Sequence, residues 1–213
     1  MDEVVERENE VLRTLTMIKR TIIKDYFSKA SEIKQIKQLG TIITGNTPST
    51  KMREYWGHDI PFITPADIGD SPYINKVERF LTELGKTKSR VFPPNSILTV
   101  CIGSTIGKVA INKTVSCSNQ QINALVPNKK YHPLYLLYLI RYHKSKIMAR
   151  TGSTAVPLIN KSEFSLIKLP VISDKEMEEF VEIISNIDSV FAILEAKTTK
   201  AKALQKSLIN QVF

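Results

Sequence analysis

The sequence is poor in cysteine and has no long apolar run. Cys101 and Cys117 are the only cysteines, too few for a disulfide framework or for a zinc site of the Cys-x-x-Cys kind. No stretch approaches the roughly 18 apolar residues that a membrane span requires, and the N-terminal segment is acidic and polar, unlike a signal peptide. We therefore expect a cytoplasmic protein without a membrane partner, in which both cysteines are buried.

Motifs for catalysis and metal binding are also missing. His58, His132 and His143 stand in no metal-ligand spacing and beside no recognisable nucleophile. Segment 92–95 (Phe-Pro-Pro-Asn) inverts, rather than matches, the Pro-Pro loop of amino-group methyltransferases. We therefore expect no catalytic residue, no metal site and no cofactor in this chain.

A glycine-rich segment, GSTIGKV at 103–109, superficially resembles a phosphate-binding loop. Its glycines enclose three residues where that motif needs four, and a valine follows the lysine where the motif has a hydroxyl residue. A turn carrying Ser104, Thr105 and Lys108 can still offer backbone amides and an ammonium group to a phosphate. A tight hairpin turn is the alternative interpretation, and the sequence does not decide between the two.

Positive charge is concentrated in the middle of the chain. Residues 1–27 hold five Lys/Arg and six Asp/Glu, residues 28–173 hold twenty and eight, and residues 174–213 hold five and seven. Between positions 129 and 168, eight basic residues face a single acid. Such a field attracts a polyanion, and a solvated basic surface is the alternative.

The two ends of the chain have helical patterns. The last forty residues contain neither Gly nor Pro, and their apolar residues alternate at spacings of four and three, which predicts a long coiled-coil helix over 173–213. Ser173 is its expected N-cap, with acids in the first turn. Residues 1–30 predict a second helix. The residues expected to face a partner helix are Ile18, Ile22, Phe180, Ile184, Ile187, Phe191, Leu194, Leu208 and Val212.

The middle, residues 31–172, has a mostly strand-like pattern. Short apolar runs are broken by Gly, Pro, Asn and Asp, which is typical of strands of four to six residues. These runs lie at 39–45, 60–64, 96–103, 109–112, 122–127 and 165–172. Segment 132–150 has helical spacing and predicts one helix with Arg141, Lys144 and Arg150 facing outward. The fold class expected for the whole chain is α+β, one mixed domain flanked by long helices.

Polar residues suited to nucleic acid gather in the loops of this domain. Asn119 and Gln120 belong to the densest amide cluster of the chain, and such amides can bond adenine edges. Asn and Gln at a strand entry also often satisfy neighbouring backbone groups, which is the structural alternative. Lysine, Ser, Thr and free backbone amides are suited to phosphate oxygens.

Taken together and in order, these segments resemble the specificity subunits of type I restriction-modification systems. The similarity covers about residues 35–213. The segments that carry it are LGTIITGNTPS (39–49), IPFITPADI (60–68), CIGSTIGKVAI (101–111), SNQQIN (118–123) and RTGST (150–154).

The resemblance implies a chain without catalytic activity. Its domain would be a target recognition domain that reads one half of a split target in double-stranded DNA, while the helices set the spacing and bind the methyltransferase subunits. S-adenosylmethionine, Mg and ATP would be needed only in the partner subunits, including the restriction subunit. Because the chain has one such domain where the family has two, we expect a homodimer or pairing with another half-subunit. Self-pairing predicts a palindromic bipartite target.

The resemblance also implies DNA contacts, position by position, and the amide cluster and the basic run add three more. The residues implied by the resemblance are Thr44, Thr47, Ser49, Lys51, Thr64, Asp67, Ser104, Thr105, Lys108, Arg150, Ser153, Asn160 and Lys161. The three additions are Asn119, Gln120 and Lys144.

A second interpretation comes from another functional class. The chain can be a coiled-coil scaffold whose basic domain binds RNA or an acidic protein. A scaffold has no need to confine its positive charge to the mixed domain, however, and a DNA-binding protein does. The charge distribution therefore favours DNA recognition.

Overall fold

The computed structural model describes residues 2–150 and 157–212, excluding the side chains of residues 2–5, 195, 201–206 and 208–212. The chain divides into two compact units. The helical unit comprises Met1–Lys29 and Ser173–Phe213, and the mixed unit comprises Ala30–Ile172. In the part of the chain that the structure describes, every helix is too short or too polar to cross a bilayer.

Among the described residues, seven α-helices and ten strands form these units, and the expected α+β class is confirmed. The described helices are α1 (Asp2–Ser28), α2 (Ile36–Leu39), α3 (Glu83–Lys86), α4 (Pro133–Tyr142), α5 (Lys144–Met148), α6 (Lys161–Leu166) and α7 (Asp174–Val212). The described strands are β1 (Glu32–Gln35), β2 (Gly40–Thr44), β3 (Trp56–Ile63), β4 (Phe80–Leu81), β5 (Val91–Phe92), β6 (Ile97–Val100), β7 (Val109–Ile111), β8 (Ser116–Ser118), β9 (Ile122–Pro127) and β10 (Lys168–Val171).

Two four-stranded sheets build the mixed unit. One has the order β2-β9-β6-β7 and is antiparallel throughout; the other has the order β4-β3-β8-β5, with β3 and β8 parallel. Alternate residues of the first sheet pack against residues of the second, because successive side chains of a strand point to opposite faces. The core cluster between them contains Ile63, Ile68, Ile74, Phe92, Leu98, Val100, Ala110, Ile122 and Ala124.

The opposite face of the first sheet is covered by α4. All residues from Leu134 to Ile140 are buried, and α4 packs against β6 and β7. Since both faces of β6 are covered, all four of its residues are buried. A strand buried on both faces has a continuous apolar sequence rather than an alternating one, which is why the apolar runs predicted these strands correctly.

The four strands that the apolar pattern did not predict are short or polar. β4 and β5 have two residues each, and β8 has the sequence Ser-Cys-Ser. β1 (Glu-Ile-Lys-Gln) pairs antiparallel with β10, so that the first and last strands of the mixed unit lie side by side. Tertiary pairing, rather than hydrophobic periodicity, forms these strands.

The single helix expected over 132–150 is wrong. His132 caps α4 through a hydrogen bond from the Leu134 amide to its Nδ1 (3.2 Å), α4 ends at Tyr142, and α5 begins after His143. Arg141 was expected to face outward, but its guanidinium is half-buried. It donates to the carbonyl oxygens at positions 70, 71 and 109 over 2.8 to 3.0 Å, tying α4 to a loop and to β7.

The break between α4 and α5 buries a titratable group. His143 is only 8% exposed. Burial, assisted by the positive charge of Lys146, lowers the pKa of His143 to about 4 from its ordinary value. The folded chain therefore holds this imidazole neutral at a pH where the unfolded chain protonates it.

Acidification from about pH 6.5 to about pH 4 is expected to destabilise the fold through His143. In this window the unfolded state binds a proton that the folded state does not, so the free energy of unfolding falls as the pH falls. We expect a loss of about 2 kcal/mol, less than the full linkage because the side chain retains some contact with water. Urea unfolding of the wild type and of His143→Gln across this range measures it. A constant difference between the two proteins would contradict the prediction.

Both cysteines are buried, as expected. Cys101 and Cys117 are 1% and 0% exposed. Burial raises the pKa of Cys101 to about 12 and that of Cys117 to about 11. Since the thiolate is the reactive form, these two side chains serve as small apolar core residues.

The helical unit pairs α1 with α7 in antiparallel orientation. The rings of Phe27 and Phe180 lie 5.2 Å apart, whereas Thr198, further along α7, donates a hydrogen bond of 2.9 Å to Glu8 near the start of α1. Between these points Lys19 forms an ion pair with Asp188. The long helix therefore has a partner within its own chain.

The expected N-cap of α7 is confirmed. The amide and hydroxyl of Ser173 both donate to the Glu176 carboxylate, over 2.9 and 2.7 Å, and the Glu176 amide approaches the Ser173 hydroxyl at 3.4 Å. This reciprocal arrangement satisfies two of the backbone donors that a helix start leaves open.

Candidate nucleic-acid interface

Three loops that are distant in sequence meet at one end of the strands of the first sheet. Because its strands are antiparallel, β2 and β6 end where β9 and β7 begin. Thr44 pairs with Asn123, and Val100 pairs with Ile122. We call this region the polar edge and define it as residues 44–51, 101–108 and 118–121.

The first loop of the polar edge is bonded to the third. The Thr44 hydroxyl lies 2.6 Å from Asn123 Oδ1, and the Thr47 hydroxyl lies 3.2 Å from Gln120 Oε1. A Cβ at Gly45 would come within 2.2 Å of the Asn119 carbonyl oxygen. Only glycine allows the two loops to approach this closely.

The amide cluster divides into a structural part and an exposed part. Asn119 Nδ2 donates to Gln121 Oε1 at 2.9 Å, and the Gln121 amide donates back to Asn119 Oδ1 at 3.1 Å. Gln121 Nε2 also approaches the Ile102 carbonyl oxygen at 3.4 Å. The side chain of Asn119 is thus used for hydrogen bonds within its own loop. Gln120 is exposed and is the amide best placed to contact a DNA base.

The glycine-rich segment forms the hairpin turn between β6 and β7. Gly103 and Gly107 have φ of 99° and 83°, which favour glycine. The turn closes with hydrogen bonds from Gly107 N to Val100 O (2.9 Å) and from Lys108 N to Thr105 O (3.1 Å). In the described part of the chain, the amides of Ser104 and Thr105 have no acceptor. The hairpin turn that was the alternative interpretation of this segment is present, and it still leaves the amides of Ser104 and Thr105 available as donors.

A lysine from α5 packs against this turn. A Cβ added to Gly107 would lie 2.9 Å from Lys144 Cε and 3.0 Å from its Cγ, so the aliphatic stem of Lys144 fills the space that the glycine leaves. Lys108, the next residue, is also exposed. We call Ser104, Thr105, Lys108 and Lys144 the basic turn. It combines two ammonium groups, two hydroxyls and two open amides.

Thr64 and Asp67 lie beside the polar edge, and their polar atoms are already bonded. Ile63 pairs with Ser118, which places Thr64 next to the start of the amide loop. One oxygen of Asp67 accepts from the Thr64 amide and hydroxyl at 2.7 and 2.8 Å, and the other accepts from the Glu78 amide at 3.3 Å. This local bonding holds the loop after β3; a DNA contact by either residue stays a prediction.

The candidate DNA contacts after position 149 differ in their surroundings. Asn160 caps α6, since its Oδ1 accepts from the Glu163 amide at 2.9 Å, and Lys161 is exposed at the first position of that helix. Residues 157–159 run beside the glycine turn, with a hydrogen bond from Gly103 N to Pro157 O (3.0 Å). Arg150 is exposed after α5, and Ser153 lies outside the described residues.

Ser49 and Lys51 are exposed at the far end of the first loop. The Ser49 carbonyl oxygen accepts from Trp56 Nε1 at 3.2 Å and lies 3.4 Å from the Met52 amide. These bonds fix the backbone of the loop and leave both side chains facing solvent.

The structure adds a group of residues that the sequence did not single out. Asn46 Nδ2 donates to the Lys88 carbonyl oxygen at 2.9 Å, and Asn46 Oδ1 accepts from the Arg90 amide at 2.7 Å. Arg90 Nη1 also donates to the Thr44 carbonyl oxygen at 2.9 Å. The sequence shows that basic residues alternate in the segment Lys-Thr-Lys-Ser-Arg at 86–90. It does not show that this segment lies next to the first loop.

The residues expected to face a partner helix are mostly covered within the helical unit. Phe180 and Ile184 are fully buried and Ile18 is 46% exposed. Leu208 and Val212 belong to α7, but their side chains lie outside the described part. The half-buried members are Ile22, Ile187, Phe191 and Leu194.

Ile18 and further apolar side chains of both helices face solvent. Val11 and Ile18 are seven residues apart on α1, as are Ile183 and Val190 on α7. Residues at this spacing lie on one side of a helix. With Ile193, which is 56% exposed, we call these residues the apolar stripe. In the described residues, no group of three or more His, Cys, Asp or Glu is placed to hold a metal ion.

Comparisons of the sequence point to one kind of protein. A family model for the type I restriction modification DNA specificity domain matches residues 28–203. The type I restriction enzyme MjaIX specificity subunit of Methanocaldococcus jannaschii is 33% identical over 184 residues, covering 82% of this chain. The HindI specificity subunit of Haemophilus influenzae is 33% identical over 143 residues, covering 65% of this chain.

Solved structures share the fold. The chain is similar to the HsdS subunit from Thermoanaerobacter tengcongensis, with a TM-score of 0.66, 17% identity and coverage of 100% of this chain and 54% of that one. It is also similar to the S subunit of a type I system from M. genitalium, with a TM-score of 0.69, 15% identity and coverage of 99% and 58%. The chain spans only 41% and 31% of the lengths of the two curated relatives.

Proposed function

Because the chain belongs to the family of type I restriction-modification DNA specificity domains, we propose that it recognises DNA for such a complex and performs no catalysis itself. The mixed unit is the target recognition domain, and it reads one half of a bipartite target in double-stranded DNA. The helical unit provides the spacer and the docking surface for the methyltransferase subunits. S-adenosylmethionine, Mg and ATP are needed only in the partner subunits.

The polar edge is the observation that carries this proposal. Together with Lys144 of α5, it gathers at one end of one sheet the exposed amide of Gln120, the hydroxyl of Thr47 and the rest of the basic turn. Lysines and open backbone amides are suited to phosphates, and an exposed glutamine is suited to an adenine edge in the major groove. Residues 28–173 hold twenty basic and eight acidic residues, and this excess of positive charge favours binding of a polyanion.

The apolar stripe supports pairing with a further helical surface. Its members on α1 and α7 are 37 to 56% exposed, although α1 and α7 already cover one another's inner faces. Solvent-exposed apolar residues at heptad spacing are typical of helices with another partner. We propose that the partner is a second copy of the chain or another half-subunit. A homodimer is two-fold symmetric, so its target is a bipartite palindrome.

Co-expression with the methyltransferase subunit of a type I system from the same genome, followed by sequencing of methylated sites, tests the proposal. We expect a palindromic bipartite motif that is methylated only when this chain is present. A motif with two different halves would contradict self-pairing and retain DNA recognition. Methylation that does not depend on the chain would contradict the function as a whole and favour the scaffold alternative.

A further inference from the structure

A basic loop is fastened to the outside of the first sheet. Segment 86–90 runs from the last residue of α3 to the residue before β5, and Asn46 holds its backbone through both ends of its side-chain amide. The Arg90 guanidinium donates to the last carbonyl of β2, which is an edge strand of its sheet. Ordering a surface loop costs conformational entropy, and these three bonds offset that cost at one defined place.

Two of the three charges on this segment are not paired with a carboxylate of the described residues. Lys86 pairs with Glu83 at 3.0 Å. Lys88 and Arg90 are exposed, and neither side chain pairs with a carboxylate of the described residues. A guanidinium has five N–H donors, so Arg90 retains several after its bond to Thr44.

The position of this loop relative to the basic turn is set by the order of the strands. Arg90 is bonded to β2 at one edge of the sheet, and Lys108 precedes β7 at the other edge. Three steps between neighbouring strands separate these edges, a distance of about 14 Å. The major groove of B-DNA is about 12 Å wide. The strands that carry the two basic groups are thus about as far apart as one groove is wide.

The amide loop occupies the space between the two basic groups. Thr44 at one edge pairs with Asn123 of β9, and β9 pairs with β6. The loop before β9 presents the exposed Gln120. An uncharged polar centre with basic flanks is the arrangement that reads base edges while phosphates are held on both sides.

We propose that Lys88 and Arg90 form a second phosphate-binding arm that acts opposite Lys108 and Lys144. Asn46 is the positioning residue of this arm. The inference rests on the proposed function, because it assigns the contacts of the second DNA strand at the same interface. It predicts that the arm contributes affinity without sequence preference.

Binding of a 30-base-pair duplex of mixed sequence over a series of KCl concentrations tests the arm. Lys88→Ala with Arg90→Ala is expected to raise Kd about 30-fold at 0.15 M salt, and to reduce the slope of log K against log salt by about 1.8, since two phosphate contacts are lost. Lys88→Ala alone, which removes a side chain with no partner in the described residues, is expected to raise Kd about 5-fold.

The matched control removes the same charge at the opposite ends of the strands. Lys37 precedes β2 and Lys129 follows β9, and both are exposed. Gly40 pairs with Pro127, so these lysines lie away from the polar edge. Lys37→Ala with Lys129→Ala is expected to change Kd less than about 3-fold. Equal effects of the two double variants would overturn the arm and leave the proposed function standing. A wild-type chain that fails to bind the duplex would overturn both.

Discussion

Reversing both charges of the basic turn, with Lys108→Glu and Lys144→Glu, is expected to weaken duplex binding about 600-fold at 0.15 M salt. Each substitution removes one phosphate contact, worth about 5-fold, and places a carboxylate where phosphate stood, which costs a similar factor again. The open amides of Ser104 and Thr105 lie in the same turn, so the new acids also oppose the donors that remain. Titration of labelled duplex at three salt concentrations measures the effect.

The fold should tolerate this change, because both side chains are exposed and the main contact of Lys144 is that of its stem with Gly107. Lys37→Glu with Lys129→Glu gives a control of equal charge. A loss below about 10-fold in the test variant, or an equal loss in the control, would show that the net charge of the domain binds DNA rather than the turn.

The candidate site was predictable from sequence where its cause is local. The turn at Gly103 and Gly107 depends on residues that are adjacent in the chain, so a hairpin was one of the two interpretations that the sequence offered for it. The buried strands were predictable because both of their faces are covered, which gives them continuous apolar sequences. Apolar character therefore located the sheet, and the sheet located the loops.

Some roles could have been read from a local pattern that recurs three times. A capping box has a hydroxyl or amide residue followed three positions later by an acid. Ser173 with Glu176 is one such pair and was predicted. Asn160 with Glu163 forms another, and Thr64 with Asp67 repeats it in a single 3-10 turn. Applying the same rule at all three places would have predicted the capping roles of Thr64 and Asn160 from the sequence; whether these residues also contact DNA stays a prediction.

The second arm was not predictable, because its position depends on long-range bonds. Asn46 is 42 residues from Lys88 and 44 from Arg90. A charged segment between α3 and β5 has the same sequence whether it faces solvent or a ligand. Only the placement of β2 at the sheet edge decides that it flanks the interface.

The partner of the long helix shows the same limit. An alternating spacing of four and three predicts that a helix has an apolar side to cover, and it does not identify what covers it. In the structure α1 covers part of that side, through Phe27 on Phe180 and through the Lys19 cation 5.3 Å from the centre of the Phe191 ring. The apolar stripe is what this pairing leaves uncovered.

Replacing Asn112 by alanine is expected to lower the free energy of unfolding by about 4 kcal/mol. Asn112 is 2% exposed. Its Oδ1 accepts from the buried Ser96 amide at 2.7 Å. Its Nδ2 lies 2.9 Å from the carbonyl oxygens of Pro93 and Thr114 and from the Ser116 hydroxyl, so its two N–H groups are shared among three acceptors. One side chain thus joins the segments that precede β6, follow β7 and enter β8.

The magnitude follows from what the substitution leaves behind. A buried donor or acceptor without a partner costs about 1 to 3 kcal/mol, which is more than the net value of the bond it has lost. The Ser96 amide has no nearby water to replace Oδ1, because Ser96 is fully buried. Asn75→Ala is the matched control, since Asn75 also bonds two side chains but is exposed. We expect it to cost less than about 1 kcal/mol. Urea unfolding of both variants measures the difference, and equal losses would contradict the role of burial.

This substitution also separates stability from recognition. Asn112 follows Ile111, which pairs with Ile97 at the start of β6. Its network therefore lies at the ends of the strands that are opposite the polar edge. Asn112→Ala that remains folded at low temperature should therefore bind duplex DNA with the wild-type salt slope, because no phosphate contact has changed. The Lys108→Glu, Lys144→Glu variant should show the reverse, with near-normal unfolding and lost binding. If Asn112→Ala altered the salt slope while folded, the two edges of the sheet would not be independent, and the assignment of recognition to the polar edge alone would be wrong.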